Sequence, residues 1–195
     1  MPYSPASPDP EVKQKVELLD SHSLASFPTP PQVNALHYLC NGQQIEWKGK
    51  TEPVESCVCY KADDGSVKRV NLGVIHSVNK DTALELLEAA HVAFNYGRGH
   101  WPCATVDERL KATESFVNKM VAVREQVVTL LMWEIGKNRK ESENEFDRTV
   151  IYIKDTIRAV RTRNNADASF QTAEGHIAQI RRSPLGVVLS MGPFN

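Results

Sequence analysis

The sequence predicts an α/β protein rich in helix, and three patterns carry that expectation. Apolar residues recur at helical spacing through residues 82–163, while alternating, strand-like patterning fills 36–78 and 176–182. The third pattern is GVVLSM at 186–191, a continuously apolar run of the kind that suits a parallel strand covered on both faces. Periodicity alone leaves a buried helical segment open there as well. Parallel strands need crossovers of about a dozen residues, and these helices are not separated by strands in a βαβ rhythm. The expectation is of a sheet that the chain opens and does not finish.

Residues 1–10 hold four prolines and predict no regular element. Val12, Val16 and Leu19 space a short helix over 11–26, which FPTPP at 27–31 breaks. LHYLCNGQQIEW suggests a hairpin turning at Asn41-Gly42. VESCVCYKADDGSVKRVNLGVIHSV adds short strands interrupted at Asp63-Asp64-Gly65. Thr82 and Glu85 fit a capping box, with Leu86, Leu87, Ala90, Ala93 and Phe94 on one side of a helix that GRG at 97–99 ends. Thr105 and Glu108 repeat that start signal ahead of Leu110, Phe116, Val117, Met120 and Val121. A third helix runs through Val127, Val128, Leu131 and Ile135 to Gly136, a C-terminal cap. A long fourth covers about 140–163, with Phe146, Val150, Ile153, Ile157 and Val160 as its apolar side. HIAQIRR at 176–182 alternates like a half-buried strand, and Pro184 forces a break before the apolar run.

The composition narrows the function classes. With 195 residues the chain is large enough for one sizeable domain, or one domain with an arm. Its 23 basic and 24 acidic side chains leave a net charge of -1, which gives no field to steer nucleic acid or an acidic membrane. No apolar run approaches the roughly 18 residues that span a bilayer. MPYSPASPDP lacks the basic and apolar regions of a signal peptide, so a cytoplasmic location is expected. Cys57 and Cys59 could share a strand face, but CVC has no companion pair and the six histidines show no metal spacing. No metal site is expected, and the four cysteines are read as buried or half-buried free thiols. Cys103, in WPCATVDE, lies before a helix start where a thiolate could be stabilised, although a structural role is the plainer reading. Gly136-Lys137 lacks the glycine-rich loop of a phosphate cradle.

The tail is more informative. Gly192 and Pro193 predict a turn at a strand end, which is where open α/β sheets place ligands. The carboxamide of Asn195 can donate two hydrogen bonds there, and a neutral donor stabilises an oxyanion as its charge develops. On local grounds alone, closing the turn or satisfying a backbone group is the plainer role for Asn195.

VKRVNLGVIHSVNKDTALELLEAAHVAFNYGRGHWP, DERL, LLMWEIGKNRKESENEFDRTVIYI and IRRSPLGVVLSMGPFN occur in this order. Together they resemble the aldehyde dehydrogenase superfamily, collinearly from about residue 36 onward. The branch they resemble most is the NADP-dependent non-phosphorylating glyceraldehyde-3-phosphate dehydrogenases. The resemblance implies an incomplete, helix-rich N-terminal part of that fold, with a strand arm and the first Rossmann-like strand. It divides the chain into an extension at 1–35, a strand hairpin and helical part of the cofactor domain at 36–175, a bridging strand at 176–184 and the start of the sheet at 185–195. It also implies oxidation of a phosphorylated small aldehyde with NADP, or NAD, as acceptor. The implied assembly is a homo-oligomer or a pairing with a complementary C-terminal chain.

Residue by residue, the resemblance gives Asn195 a place in the oxyanion hole and sets Gly192, Pro193 and Phe194 beside the nicotinamide. Arg148, in EFDRTVIYI, becomes the contact for the substrate phosphate, which suits a guanidinium donating two parallel hydrogen bonds. A surface pair with Glu145, three residues back, is the plainer alternative for Arg148. The family's nucleophilic cysteine and water-activating glutamate have no counterparts in these 195 residues, so the chain alone is expected to be inactive. Two alternatives stay open: a non-catalytic subunit that pairs with a homologous or complementary chain, and a general aldehyde dehydrogenase fragment.

Overall fold

The computed structural model describes residues 18–192. Its N-terminal part contains β1 (Leu19–Asp20), α1 (Ser21–Leu24), β2 (Val33–Ala35), β3 (His37–Cys40), β4 (Gln43–Glu46), β5 (Thr51–Lys61) and β6 (Val67–His76). Four of these strands form one sheet in the order β1-β5-β6-β2. The central β5–β6 pair is antiparallel, and each flanking strand runs parallel to its neighbour, so the sheet is mixed.

β3 and β4 form a separate hairpin, as the Asn41-Gly42 signal predicts. Both turn residues are left-handed, at φ 50° and 74°, which is the backbone a two-residue turn needs to match strand twist. The break at Asp63-Asp64-Gly65 is also found, with Asp64 Oδ1 accepting the Ser66 N–H at 2.9 Å. The strands on either side are longer than predicted. Irregularities between Val54 and Cys59 shift the register without ending β5, as bulges do. Gly73, at φ 135°, lets β2 close onto β6, because a Cβ there would lie 1.9 Å from the Val33 carbonyl oxygen.

The helix predicted over 11–26 falls partly outside the described residues, and the remainder differs. Leu19 pairs with Tyr60 of β5, and helix forms only after Asp20, whose Oδ1 accepts the Ser23 N–H at 2.6 Å. Strand pairing and a capping Asp together outweigh the weak apolar spacing, since Asp and Ser favour caps over helix interiors.

The middle of the chain is helical: α2 (Lys80–Phe94), α3 (His100–Cys103), α4 (Val106–Ala122), α5 (Arg124–Ile135) and α6 (Arg139–Asp167). α2 starts three residues before the predicted box. Asn79 is its N-cap, and Thr82 contributes its backbone N–H rather than its hydroxyl, at 2.9 Å. The Thr105–Glu108 box forms as predicted, each side chain reaching the other's N–H at 3.2 and 2.7 Å. α5 ends at Gly136 with φ 76°, and Asn138 caps α6 by accepting the Glu141 N–H. At 29 residues, α6 runs roughly 44 Å.

The core lies where α4, α5 and α6 meet. Val117, Val128, Phe146 and Val150 are buried together, flanked by Met120, Val127, Met132 and Ile153. Buried Ser56 joins this bundle to the sheet: its hydroxyl donates to the Trp133 carbonyl near the end of α5 and accepts the Val58 N–H. The Trp133 indole in turn donates to the Pro28 carbonyl at 3.0 Å. α2 buries none of its residues against the described chain, although its apolar side is regular.

After α6, β7 (Gln171–Ala173) and β8 (His176–Ala178) make a small exposed hairpin. The strand predicted over 176–182 is therefore three residues long, and 179–192 contain neither helix nor strand. This corrects the strand expected at GVVLSM. A strand needs a neighbour to satisfy its N–H and C=O groups, and no described strand lies alongside. Leu185 and Leu189 are 98% and 81% exposed. The α/β class itself holds: the structure is helix-rich with a mixed sheet.

Candidate functional site

Arg148 lies on the side of α6 turned away from the core. It is two residues from both Phe146 and Val150, and each residue advances about 100° around the helix, so it points opposite to both. It is exposed and forms no ion pair with the described residues. The surface pair with Glu145 does not form, because Lys137 takes that carboxylate.

A network of charged side chains fixes the helix beneath it. Arg124 holds Asp147 through two nitrogens, each at 2.8 Å, and its guanidinium lies 6.0 Å from the centre of the Phe146 ring. Arg139 bonds Glu125 at 2.7 Å and Glu143 at 3.0 Å. The hydrogen bond from Arg124 lowers the Asp147 carboxyl below its ordinary value, and that from Arg139 does the same for Glu125. Hydrogen bonding to Asp147 raises the Arg124 guanidinium in turn. Such exposed pairs add little stability, but a two-nitrogen clamp does fix the rotation of α6 against α5. Chemically, this presents Arg148 as a free fork on a rigid helix, suited to a phosphate or carboxylate.

Beside it, α4 and α6 border an apolar groove of about 350 Å³ that includes Leu110, Thr149, Tyr152 and Val160. A larger cleft of about 900 Å³ is walled by α3, the start of α4, the C-terminal half of α6 and residues 180–186. Four arginines converge there: Arg109, Arg163, Arg181 and Arg182. Arg109, Arg181 and Arg182 fall within the resembling motifs, but the sequence patterns single out none of the four as a site residue. The spacing RTR at 161–163 and RR at 181–182 is visible, but Arg109 comes from a helix more than 50 residues earlier.

The predicted cofactor contacts are only partly described. Gly192 is exposed, and apart from its chain neighbours no described heavy atom lies within 4 Å of where a side chain would begin. Pro193, Phe194 and Asn195 lie outside the described residues. Neither of these two clefts is lined by Arg148 or Gly192. The cysteines are free, but Cys57 and Cys103 are exposed rather than buried. Cys103 ends α3 two residues ahead of Thr105, the α4 N-cap, as the sequence places it, and its thiol donates to the Gly97 carbonyl at 3.4 Å. Among the described residues no cluster of three or more His, Cys, Asp or Glu could hold a metal ion, and no helix is long and apolar enough to cross a membrane.

A helix-rich α/β chain with a mixed sheet and an exposed arginine on its longest helix is consistent with part of a dehydrogenase domain, and comparison with known proteins makes the class definite. The chain belongs to the aldehyde dehydrogenase family, whose model matches residues 65–195. It is similar to an N-succinylglutamate 5-semialdehyde dehydrogenase of Legionella pneumophila (strain Corby), at 31% identity over 60% of this chain and 23% of that protein. It is also similar to malonate-semialdehyde dehydrogenase 2 of Shouchella clausii, at 30% identity over 49% of this chain and 19% of the relative. A Salmonella typhimurium N-succinylglutamate 5-semialdehyde dehydrogenase aligns over 80% of this chain and 28% of its own length, at 26% identity. The chain thus spans about a quarter of the length of the curated relatives it matches. No solved structure matches it.

Proposed function

We propose that these residues form the N-terminal part of an NAD(P)-dependent aldehyde dehydrogenase that oxidises glyceraldehyde 3-phosphate to 3-phosphoglycerate, with NADP as the preferred acceptor. The observation that carries this reading is the family match over residues 65–195, which includes the helix bearing Arg148. Arg148 binds the substrate phosphate, and its exposure without a competing carboxylate supports that role. Asn195 donates to the oxygen that gains charge when a thiolate from another part of the enzyme attacks the aldehyde. Gly192, Pro193 and Phe194 border the nicotinamide.

The names of the matched relatives describe semialdehydes, which are themselves acids, so the comparison to make is between phosphate and carboxylate. In the complete enzyme, Arg148→Ala should raise KM for glyceraldehyde 3-phosphate at least tenfold more than for glyceraldehyde, by loss of a charge-assisted fork. Equal effects on both substrates reject the phosphate role and leave a general aldehyde dehydrogenase. A polypeptide of residues 1–195 should form no NADPH from the substrate, and turnover typical of enzymes would contradict that.

The exposed apolar run Leu185, Val188, Leu189 and Met191 favours a second reading, a non-catalytic subunit that pairs with a homologous or complementary chain. Co-purification with such a chain supports it. A strictly monomeric chain that unfolds cooperatively counts against it.

A further inference from the structure

The four-arginine cleft has no part in the proposed chemistry, and its construction calls for an explanation of its own. Its walls come from Phe94 at the end of α2 and three further stretches of chain: Trp101 to Arg109, Thr156 to Ala168 and Ile180 to Gly186. Two contacts fold the last stretch onto the end of α6. Gln179 donates to the Ala168 carbonyl at 2.6 Å, and Arg182 Nε donates to Asp167 Oδ2 at 2.6 Å.

Each guanidinium is held by one nitrogen. Arg163 Nε meets Asp167 Oδ1 at 3.3 Å, Arg182 uses the other Asp167 oxygen, Arg109 Nη1 donates to the Ala104 carbonyl, and Arg181 Nε donates to Gln179 Oε1 at 3.2 Å. Asp167 is the single carboxylate among the lining residues, against four arginines, so the cleft carries a formal charge of +3. The Arg163 and Arg182 side chains are 63% and 57% exposed, and an anion bridging them can use the nitrogens that the anchoring bonds leave over. Arginine forks suit tetrahedral phosphate, and one phosphate cannot span four of them.

We propose that this cleft binds a diphosphate-bearing small anion, with Arg163 and Arg182, both oriented by Asp167, as its central contacts. Trp101 lies on the rim, 55% exposed, where the base of a nucleoside diphosphate would stack. Diphosphate itself and a nucleoside diphosphate share the same recognition chemistry. Arg163 lies roughly 22 Å along α6 from Arg148, so the two arginines cannot share one small ligand.

The test is titration of the full chain with sodium pyrophosphate and, separately, with ADP. Tryptophan fluorescence and thermal shift are read at constant ionic strength, with sodium chloride as the ionic control. Saturable binding is expected for both probes, at least about tenfold weaker in Arg163→Gln/Arg182→Gln and unchanged in Arg158→Gln, whose charge lies on α6 outside the cleft. Binding of ADP that is tighter than pyrophosphate and falls back to it in Trp101→Ala identifies the nucleotide as the source. Equal affinities identify the free diphosphate. Should the double glutamine variant fail to fold, Arg163→Lys/Arg182→Lys keeps the charge and removes the forks, and weakened binding is still expected. A response that sodium chloride reproduces, or that Arg158→Gln weakens as much as the double variant does, overturns the proposal.

Discussion

Phe146→Ala should be among the costliest single changes in this chain. Phe146 is 3% exposed and sits with Val117, Val128 and Val150 where α4, α5 and α6 meet. Truncating a buried Phe to Ala removes about 3–5 kcal/mol, because transfer free energy is lost and a cavity is left that neighbours only partly fill. The Arg124 guanidinium lies 6.0 Å from the ring centre at a solvent-facing site, so burial is the dominant effect. A domain of this length shifts its Tm by about 2–4 °C per kcal/mol, which places the expected drop at roughly 6–20 °C. Thermal unfolding followed by far-UV circular dichroism measures it. Phe116→Ala is the control: the same truncation on α4, at a side chain 57% exposed, should shift Tm far less. A drop of under about 2 °C for Phe146→Ala, or one no larger than the control's, would refute the assigned core.

Three further outcomes follow from the same geometry. Gly73→Ala forces a Cβ to within 1.9 Å of the Val33 carbonyl at a left-handed φ, so β2 should detach from β6, seen as lost amide-exchange protection at Val33 to Ala35. Thr105→Ala removes the N-cap of α4 and should cost about 1 kcal/mol in denaturant unfolding, with the m-value unchanged. Asp147 and Glu125 have carboxyls held below their ordinary values of 3.8 and 4.5 by Arg124 and Arg139. Their contribution is therefore complete above those values and is lost as pH falls through the lowered ones. The Tm gap between the parent and Arg124→Gln should stay constant from neutral pH to about 5 and close below about 4; a gap that widens in acid contradicts the clamp.

Signals confined to a few neighbouring residues were legible in the sequence. Asn41-Gly42, the Thr105–Glu108 box and Gly136 each specify one backbone geometry, and each appears as predicted. The start of α2 was displaced because two residues compete for one cap, and Asn79 precedes the predicted Thr82. Long-range pairing was not legible. Nothing in LLD announces that Leu19 joins Tyr60, and the apolar content of GVVLSM promises a strand only if a neighbouring strand is present to bond it. The exposure of Arg148 could be inferred from its spacing against Phe146 and Val150, whereas the convergence of Arg109 with Arg163 and Arg182 depends on tertiary folding. Asn195 was assigned by resemblance, because a carboxamide in a turn has many local uses.

The central claim, that Asn195 serves an aldehyde-oxidising site, is tested most directly by NADPH formation at 340 nm. The protein translated from the reading frame that contains these residues would be assayed with glyceraldehyde 3-phosphate, as the parent and as Asn195→Ala. The account expects turnover in the parent and a loss of about 10²–10³ in kcat in the variant, the cost of removing one oxyanion donor. Undiminished kcat in a folded Asn195→Ala enzyme, or no oxidation of any aldehyde by the parent, would contradict it.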